Sequence, residues 1–372
     1  MIKLKSLILK YIKLIIPILV RFFGFEILNK FESKAGLNSF IIYSSLNNVF
    51  EFNNLAKDNS SIITLIGESP ASHIYKIEKF KFHLLSYGGL RINNKIFDLD
   101  FGNSLFVKYI LPKRKKILKV ENCIFLWSHE WGTGYYDFMF FVLMKLNRIV
   151  SCIKELSSKD TVICLPFKAS ELPYFAFEYF SLFGFSNLQI IDSREVQVVA
   201  KKYFFGDNNS FFFPNFYDVK IFKNNLNDKF NSLIKSVTNQ ENLIYLKRSG
   251  KRKVSNEAEL IPILEKFNFT ILEDTPRSIF DQFKLFQSAK IIIGPHGAGF
   301  SNILFCKTNT KIIEFFPKNY YPPHYFYLSG VLGLDYYGFI ENEGSISSHY
   351  ANTGVDLYIK PFILENLLIK LC

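Results

Sequence analysis

The sequence predicts an α/β fold whose C-terminal half is a parallel, doubly wound sheet. Three observations point there. Short apolar, strand-like runs recur at Asn242-Leu-Ile-Tyr-Leu246, Phe269-Thr-Ile-Leu272, Ile291-Ile-Ile293 and Lys311-Ile-Ile-Glu314, as fully buried parallel strands do. Helix-period segments lie between them, which is the βαβ alternation. A glycine loop, Gly294-Pro-His-Gly-Ala-Gly-Phe-Ser-Asn302, joins one strand to a helix.

Length and charge bound the classes. The 372 residues suffice for two ordinary domains. Hydrophobic residues make up 49%, with 42 Phe, so cores can be filled and disorder is not indicated. Net charge is 45 − 33 = +12, which suits nucleic acid, an anionic membrane surface or a phosphorylated substrate. Basic residues are scattered and no nucleic-acid motif occurs, so nucleic acid is set aside. Cys123, Cys152, Cys164, Cys306 and Cys372 show no CxxC and no even framework; they read as reduced, cytosolic thiols. The histidine spacing builds no metal site.

Taken in order, residues 1–30 come first. Lys3, Lys5, Lys10, Lys13 and Arg21 lie among Ile, Leu, Val and Phe, with no acid before Glu26. No stretch reaches the roughly 18 apolar residues of a membrane span, and the apolar run around Pro17 is too short and wrongly flanked for a secretory signal. Residues 1–28 fit a basic amphipathic segment on anionic lipid, or a packed helix with solvated lysines. Residues 36–111 read as a β-rich meander, with turns at Gly88-Gly89 and Asn93-Asn94. His73 and His83 there read as surface or satisfied core residues. Lys113-Arg-Lys-Lys116 reads as a solvated basic loop.

Cys123-Ile-Phe-Leu-Trp127 is the next expected strand, followed by the polar loop Ser128–Asp137 and a buried helix from Phe138 to Val150. His129, Glu130 and Asp137 thus fall between a strand end and a helix start, where α/β proteins place ligands; Asp137 reads equally as a helix cap. Strand–helix alternation continues to Val199, completing a first domain over 31–215. Residues 206–242 hold polar turns, Asn224-Asn-Leu-Asn-Asp228 among them, and mark the interdomain passage. The second domain runs from 240 to 350. Residues 355–372 form a C-terminal helix, a candidate to pack back on the first domain.

The chemistry gathers at strand ends of the second domain. Arg248, Lys251, Arg252 and Lys253 follow one strand. Gly297, Ala298 and Gly299 follow another, with His296 before them and Ser301 and Asn302 opening a helix whose free N–H groups suit an anion. Glu314 ends a third. A guanidinium and a backbone nest suit a diphosphate, and a carboxylate suits ribose hydroxyls, so the set describes a nucleoside diphosphate on one sheet edge.

These residues carry a resemblance. Gly294-Pro-His-Gly-Ala-Gly-Phe-Ser-Asn-Ile-Leu-Phe305 followed by Ile312-Ile-Glu-Phe-Phe-Pro317 resembles the signature of the family 61 glycosyltransferases. Tyr245-Leu-Lys-Arg-Ser249, Arg252-Lys-Val-Ser-Asn-Glu-Ala-Glu-Leu260, Ser278-Ile-Phe-Asp-Gln282 and Gly333-Leu-Asp-Tyr336 are similar to further segments of that family. Tyr135-Tyr-Asp-Phe138 resembles its Tyr-Tyr-His segment, with Asp137 where histidine is usual.

The resemblance implies a GT-B-like fold, two Rossmann-like domains with parallel sheets facing a cleft. It implies a glycosyltransferase with a nucleotide-sugar donor, typically a UDP-sugar, inverting and needing neither metal nor cofactor. Asp137 is then the base, backed by His129 or Glu130, and His296 a donor to the leaving phosphate. Arg248, Arg252, Asn256, Glu257, the 297–302 loop and Glu314 line the donor site; Asn256 and Glu257 read equally as cap and first-turn acid of a helix. With the cysteines and the basic N-terminus, it suggests a bacterial enzyme of capsule or lipopolysaccharide synthesis. Such an enzyme would be cytoplasmic and peripheral on the inner face of the plasma membrane, extending a lipid-linked glycan. A catalytically degenerate nucleotide-sugar-binding subunit is the alternative.

Overall fold

The computed structural model describes residues 18, 22, 24, 26–28, 39–43, 46–54, 61–69, 71–78, 82–84, 89–92, 94–98, 116–126, 134–153, 156, 158–208, 213–232, 241–316, 320–340 and 356–372. The chain divides into two compact units, Met1–Leu46 with Ser69–Phe222, and Asn47–Glu68 with Lys223–Cys372. Each is α/β, and each has a mostly parallel main sheet.

The main sheet of the first unit contains β1 (Ser72–Glu78), β2 (Lys116–Phe125), β3 (Thr161–Leu165), β4 (Ile190–Asp192) and β5 (Val196–Gly206). Its order is β4-β3-β2-β5-β1, with Ser39–Tyr43 beyond β1. The first four are parallel, while β1 and Ser39–Tyr43 pair antiparallel. Of the meander expected over 36–111, Phe82–Leu84, Gly89–Ile92 and Lys95–Asp98 pair antiparallel in a small sheet, whereas Ser39–Tyr43 and Ser72–Glu78 join the main sheet of this unit and Leu46–Asn54 and Ser61–Ser69 another sheet. The core between elements is aromatic and sulfur-rich, with Tyr75, Cys123, Phe125, Cys164, Tyr203 and Phe205 clustered.

After β2 the chain forms a helical run over 135–152. It is α-helical at Tyr135–Asp137, π-helical at Phe138–Leu143 and α-helical again as α1 (Met144–Cys152). Every side chain from 138 to 149 is buried, as in a helix covered on all sides. Its apolar residues explain that, but Arg148 does not. The Arg148 guanidinium binds the Asp218 carboxylate through Nε (2.8 Å) and Nη2, and donates from Nη1 to the carbonyls of His73 (3.0 Å) and Asp207 (3.1 Å). Asp207 in turn accepts from the His73 ring (2.8 Å), the His73 N–H (2.9 Å) and the Tyr75 hydroxyl (3.2 Å). His73 is therefore a satisfied, partly buried residue. Burial pushes the Asp218 carboxyl up even beside the guanidinium.

α2 (Tyr174–Leu182) follows β3, and α3 (Phe216–Asn231) leads out of the unit. The Asn-rich stretch 224–228, expected as a turn, is helix. Val219, Phe222, Leu226 and Phe230 are all buried, and their spacing makes one apolar stripe whose burial outweighs the weak helix preference of Asn. The boundary between units falls inside this helix, after Phe222.

The second unit has β6 (Asn242–Leu246), α4 (Glu257–Lys266), β7 (Phe269–Leu272), α5 (Ile279–Gln287), β8 (Ala289–Pro295), β9 (Lys311–Phe316), α6 (His324–Leu332), β10 (Asp335–Ile340) and α7 (Pro361–Leu371). Ser278 caps α5, accepting from the Asp281 N–H at 3.1 Å. The sheet order is β7-β6-β8-β9-β10, continued by Leu46–Asn54 and Ser61–Ser69. β6 to β10 pair parallel throughout, and Leu46–Asn54 joins β10 in the same sense. Recruitment of two N-terminal strands to this sheet had no sequence signal. The helix α7, offered to the first domain by the sequence, belongs to the second unit. Its Leu364, Leu367 and Leu368 share a core with Leu260 and Leu264 of α4.

Replacing Arg148 by Leu would leave the buried carboxylates of Asp207 and Asp218 without their cation. Breaking a buried ion pair from one side costs about 3–5 kcal/mol. Urea unfolding of Arg148→Leu is expected to show a loss of that order, and a loss below about 1 kcal/mol would mean the cluster does not hold the unit together.

Candidate functional site

Numbered among themselves in chain order, β6 to β10 lie in the order 2-1-3-4-5. Chain order reverses between β6 and β8, and the crevice beyond the carboxyl ends at such a reversal is where open α/β sheets bind ligands. Arg248 follows β6 by two residues and His296 follows β8 directly. The structure brings them together: Arg248 Nη1 donates to the His296 carbonyl at 3.2 Å, and Nε to the Lys251 carbonyl. Burial and the nearby Arg252 pull the Arg248 guanidinium's pKa down.

The glycines are explained by the chain's own atoms. A Cβ on Gly294 would stand 2.7 Å from the Leu246 carbonyl oxygen, so this glycine lets β8 pass close to β6. A Cβ on Gly297 would collide with the Arg248 guanidinium. Gly299 differs: it is exposed, and a Cβ there would meet nothing within 4 Å. The loop runs into a 3₁₀-helix, Ala298–Phe305. Ser301 and Asn302 are buried in it, with Asn302 Nδ2 donating to Gln282 Oε1 at 2.6 Å and Ser301 Oγ 3.4 Å from the Tyr325 hydroxyl.

His296 is 5% exposed. Phe316 stacks on its ring at 5.7 Å, and Tyr320, Tyr325 and His324 surround it. Its Nδ1 lies 2.5 Å from Glu314 Oε1, while the Tyr336 hydroxyl donates to Glu314 Oε2 at 2.5 Å. Glu314 is fully buried and sits inside β9, because Phe315 and Phe316 extend the strand past it. It is not the strand end the sequence suggested, and both its oxygens are engaged within the unit. Burial pushes its carboxyl up to about 8, with the Tyr336 hydrogen bond and Arg252 opposing. Burial, then Arg252 and Arg248, hold His296 well below the usual imidazole range.

Arg252 stands at φ 63° and lays its guanidinium over the Tyr320 ring at 5.4 Å. A left-handed conformation at a non-glycine residue costs on the order of 1 kcal/mol and occurs where structure imposes it. Asn256 and Glu257 have partners within the unit. Asn256 is buried and pairs twice with the backbone of Ile359, donating at 2.8 Å and accepting at 3.1 Å. Glu257 accepts from the Tyr245 hydroxyl at 2.8 Å and lies 3.7 Å from Lys247. Asp137 is half-buried in the first unit, its Oδ2 tucked against Gly134. His129, Glu130 and most of residues 1–28 lie outside the described residues, where their roles were read. Tyr320, Tyr325 and Tyr336 were missed by sequence reasoning. The signals were an aromatic-rich stretch after the glycine loop and, for Tyr336, the Gly333-Leu-Asp-Tyr336 segment.

The model of the family described as Glycosyltransferase 61 matches residues 97–313, more than half of the chain. A β-1,2-xylosyltransferase of Oryza sativa subsp. japonica, RCN11, is 26% identical over 111 residues, which is 27% of this chain and 21% of that protein. A β-1,2-xylosyltransferase of Arabidopsis thaliana is 37% identical over 60 residues, 16% of this chain and 11% of that protein. The chain thus spans about a fifth and about a tenth of those two relatives.

The raised Glu314 has a thermodynamic consequence. The folded state keeps its proton up to about pH 8, the unfolded state only to 4.5, so its contribution to stability is fully present below the unfolded value and is lost as pH rises through the folded one. Between about pH 6 and about pH 8 the wild type is expected to lose about 2 kcal/mol relative to Glu314→Gln, at about 1.4 kcal/mol per linked proton and pH unit. Parallel urea-unfolding curves for both proteins across that range would place the carboxyl in the ordinary range.

Proposed function

The chain belongs to the glycosyltransferase 61 family, and from that premise we propose that it transfers a sugar from a nucleotide-sugar donor to a hydroxyl of a growing glycan. The observation that carries the donor assignment is the meeting of Arg248 with the His296-Gly297 loop at the strand-order reversal of the second unit. A diphosphate needs positive charge and N–H groups in one place. Arg248 and Arg252 supply the charge, and the amides opening the 3₁₀-helix supply donors. The donor is a UDP-sugar in this reading. UDP-xylose is the first to try, because both plant relatives are xylosyltransferases.

The reaction is a single displacement with inversion. The acceptor oxygen attacks C1 of the sugar and the C1–O bond to the diphosphate breaks. The electron pair leaves with the nucleoside diphosphate, and the hydroxyl proton passes to a base. Asp137 is the proposed base, with His129 and Glu130 as further candidates. The charge growing on the leaving phosphate is met by Arg248 and by the His296 ring. The positive charge such a leaving group needs is carried by the chain itself, so no metal or cofactor is assigned to the step.

The acceptor in this proposal is a surface glycan such as a capsular or lipopolysaccharide chain, and a lipid-linked intermediate is one form. Among the described residues, no helix is long and apolar enough to cross a membrane. Ile18 and Phe22, four positions apart in sequence, are 66% and 83% exposed, as the apolar side of a surface-bound amphipathic segment would be. In this proposal the enzyme is cytoplasmic and peripheral on the inner face of the plasma membrane.

Thermal shift of the full chain against UDP, GDP, CDP, CMP, ADP and dTDP, with and without EDTA, tests the donor site. A ligand specific to the folded state adds about 2.7 kcal/mol at 100 times its Kd. The expected result is a shift with UDP that survives EDTA and is lost in Arg248→Ala. Shifts with none of them would refute the nucleotide reading, whereas binding without transfer or donor hydrolysis would favour a degenerate binding subunit.

A further inference from the structure

Glu314 and Tyr336 form, with His296, a chain of hydrogen bonds. The Tyr336 hydroxyl donates to Oε2 and His296 Nδ1 meets Oε1, each at 2.5 Å, and Glu314 has no exposed surface. A protonated Glu314 must therefore carry its proton on Oε1, because Oε2 already accepts from Tyr336. Nδ1 of the ring is then an acceptor, and a neutral imidazole that accepts at Nδ1 carries its hydrogen on Nε2. When Glu314 loses that proton, its carboxylate accepts at both oxygens. The ring must then turn its hydrogen to Nδ1, and Nε2 becomes a lone pair.

We propose that Tyr336 and Glu314 are positioning residues that set the tautomer of His296, so that its Nε2 offers an N–H to a phosphate oxygen of a nucleoside diphosphate in one protonation state and withdraws it in the other. The inference rests on the nucleotide reading for the identity of the ligand, but not for the chain itself. The phosphate oxygens of a nucleoside diphosphate are hydrogen-bond acceptors, so the N–H tautomer binds them and the lone-pair tautomer repels them. The His296 ring is packed by Phe316, Tyr320, His324 and Tyr325, so it has little freedom to rotate away.

Among the described residues, the charged and titratable groups facing the hydrogen-bond chain are Arg248 and Arg252 from the loop after β6, Tyr320, His324 and Tyr325 from around α6, and Tyr336 from β10. The two arginines and burial keep His296 uncharged, which leaves the carboxyl, raised to about 8, as the group that switches. The Tyr336 hydrogen bond lowers that value, so Tyr336→Phe moves the switch to higher pH. Glu314→Gln is the informative variant. Its carbonyl takes the Tyr336 hydroxyl, its NH₂ then donates to Nδ1, and Nε2–H is locked at every pH.

The test uses full-length protein labelled with ¹⁵N-histidine, with the His296 signals identified by their loss in His296→Gln. The wild type is expected to show a hydrogen on Nε2 at neutral pH and on Nδ1 above about pH 8, while Glu314→Gln keeps it on Nε2 throughout. UDP is the binding probe. Over the same range wild-type affinity is expected to fall about tenfold, the loss of one charge-assisted hydrogen bond, and that of Glu314→Gln to change less than about twofold. A wild-type ring whose tautomer is the same on both sides of pH 8, or a Glu314→Gln ring that follows the wild type, would overturn the proposal. A switching ring in a protein that binds no UDP at either pH would leave the chain standing and overturn the nucleotide reading instead.

Discussion

A carboxyl group with no water around it has to be met on both oxygens, and in the second unit that requirement falls on Glu314. Leaving it unpaired would cost several kcal/mol. It is met by a loop residue, His296, and by a neighbouring-strand residue, Tyr336. Both can reach it only if β8, β9 and β10 keep one register. That register sets Glu314 between Gly294 and Gly338. A slip of one residue in either pairing would turn Glu314 to the opposite face, into the core formed by Ile313, Phe315 and Phe339. The polar chain and the strand register therefore specify each other.

The same logic accounts for the loop. Gly294 is small because Leu246 of β6 approaches it, and Gly297 is small because the Arg248 guanidinium occupies the space a side chain would need. Arg248 then ties the two strand ends of the reversal through the His296 carbonyl. Cation, loop and imidazole are thus held in place by contacts within the unit. Arg252, in a left-handed conformation over Tyr320, belongs to the same cationic group.

The first unit solves a comparable problem with different residues. Its helical run over 138–149 is buried on all sides, and a guanidinium in that setting needs acceptors from every direction. Asp218 from α3 and the carbonyls of His73 and Asp207 provide them. The cluster joins β1, the end of β5, α1 and α3, elements far apart in sequence, at a single side chain. This unit keeps its polar groups inside to hold the fold together, whereas the second gathers them at a sheet edge.

Periodicity made the strands and helices of the second unit legible, because each segment between 242 and 337 buries a face by its own pattern. That Arg248 and the His296 loop would lie at strand ends was legible, because each follows a short apolar run in the sequence. Asn256, Glu257 and Glu314 show the limit. Their types suit a ligand, but their partners are Ile359, Tyr245, His296 and Tyr336, which only folding brings within reach. The Asn-rich turn that became part of α3 shows it too, since its buried stripe needed a core to pack against. By itself the sequence determined the local order of strand, loop and helix and the presence of cations and glycines at the edge. Only the tertiary structure decided which acid meets which base, because hydrogen-bond partners and protonation depend on distances and burial set by contacts remote along the chain.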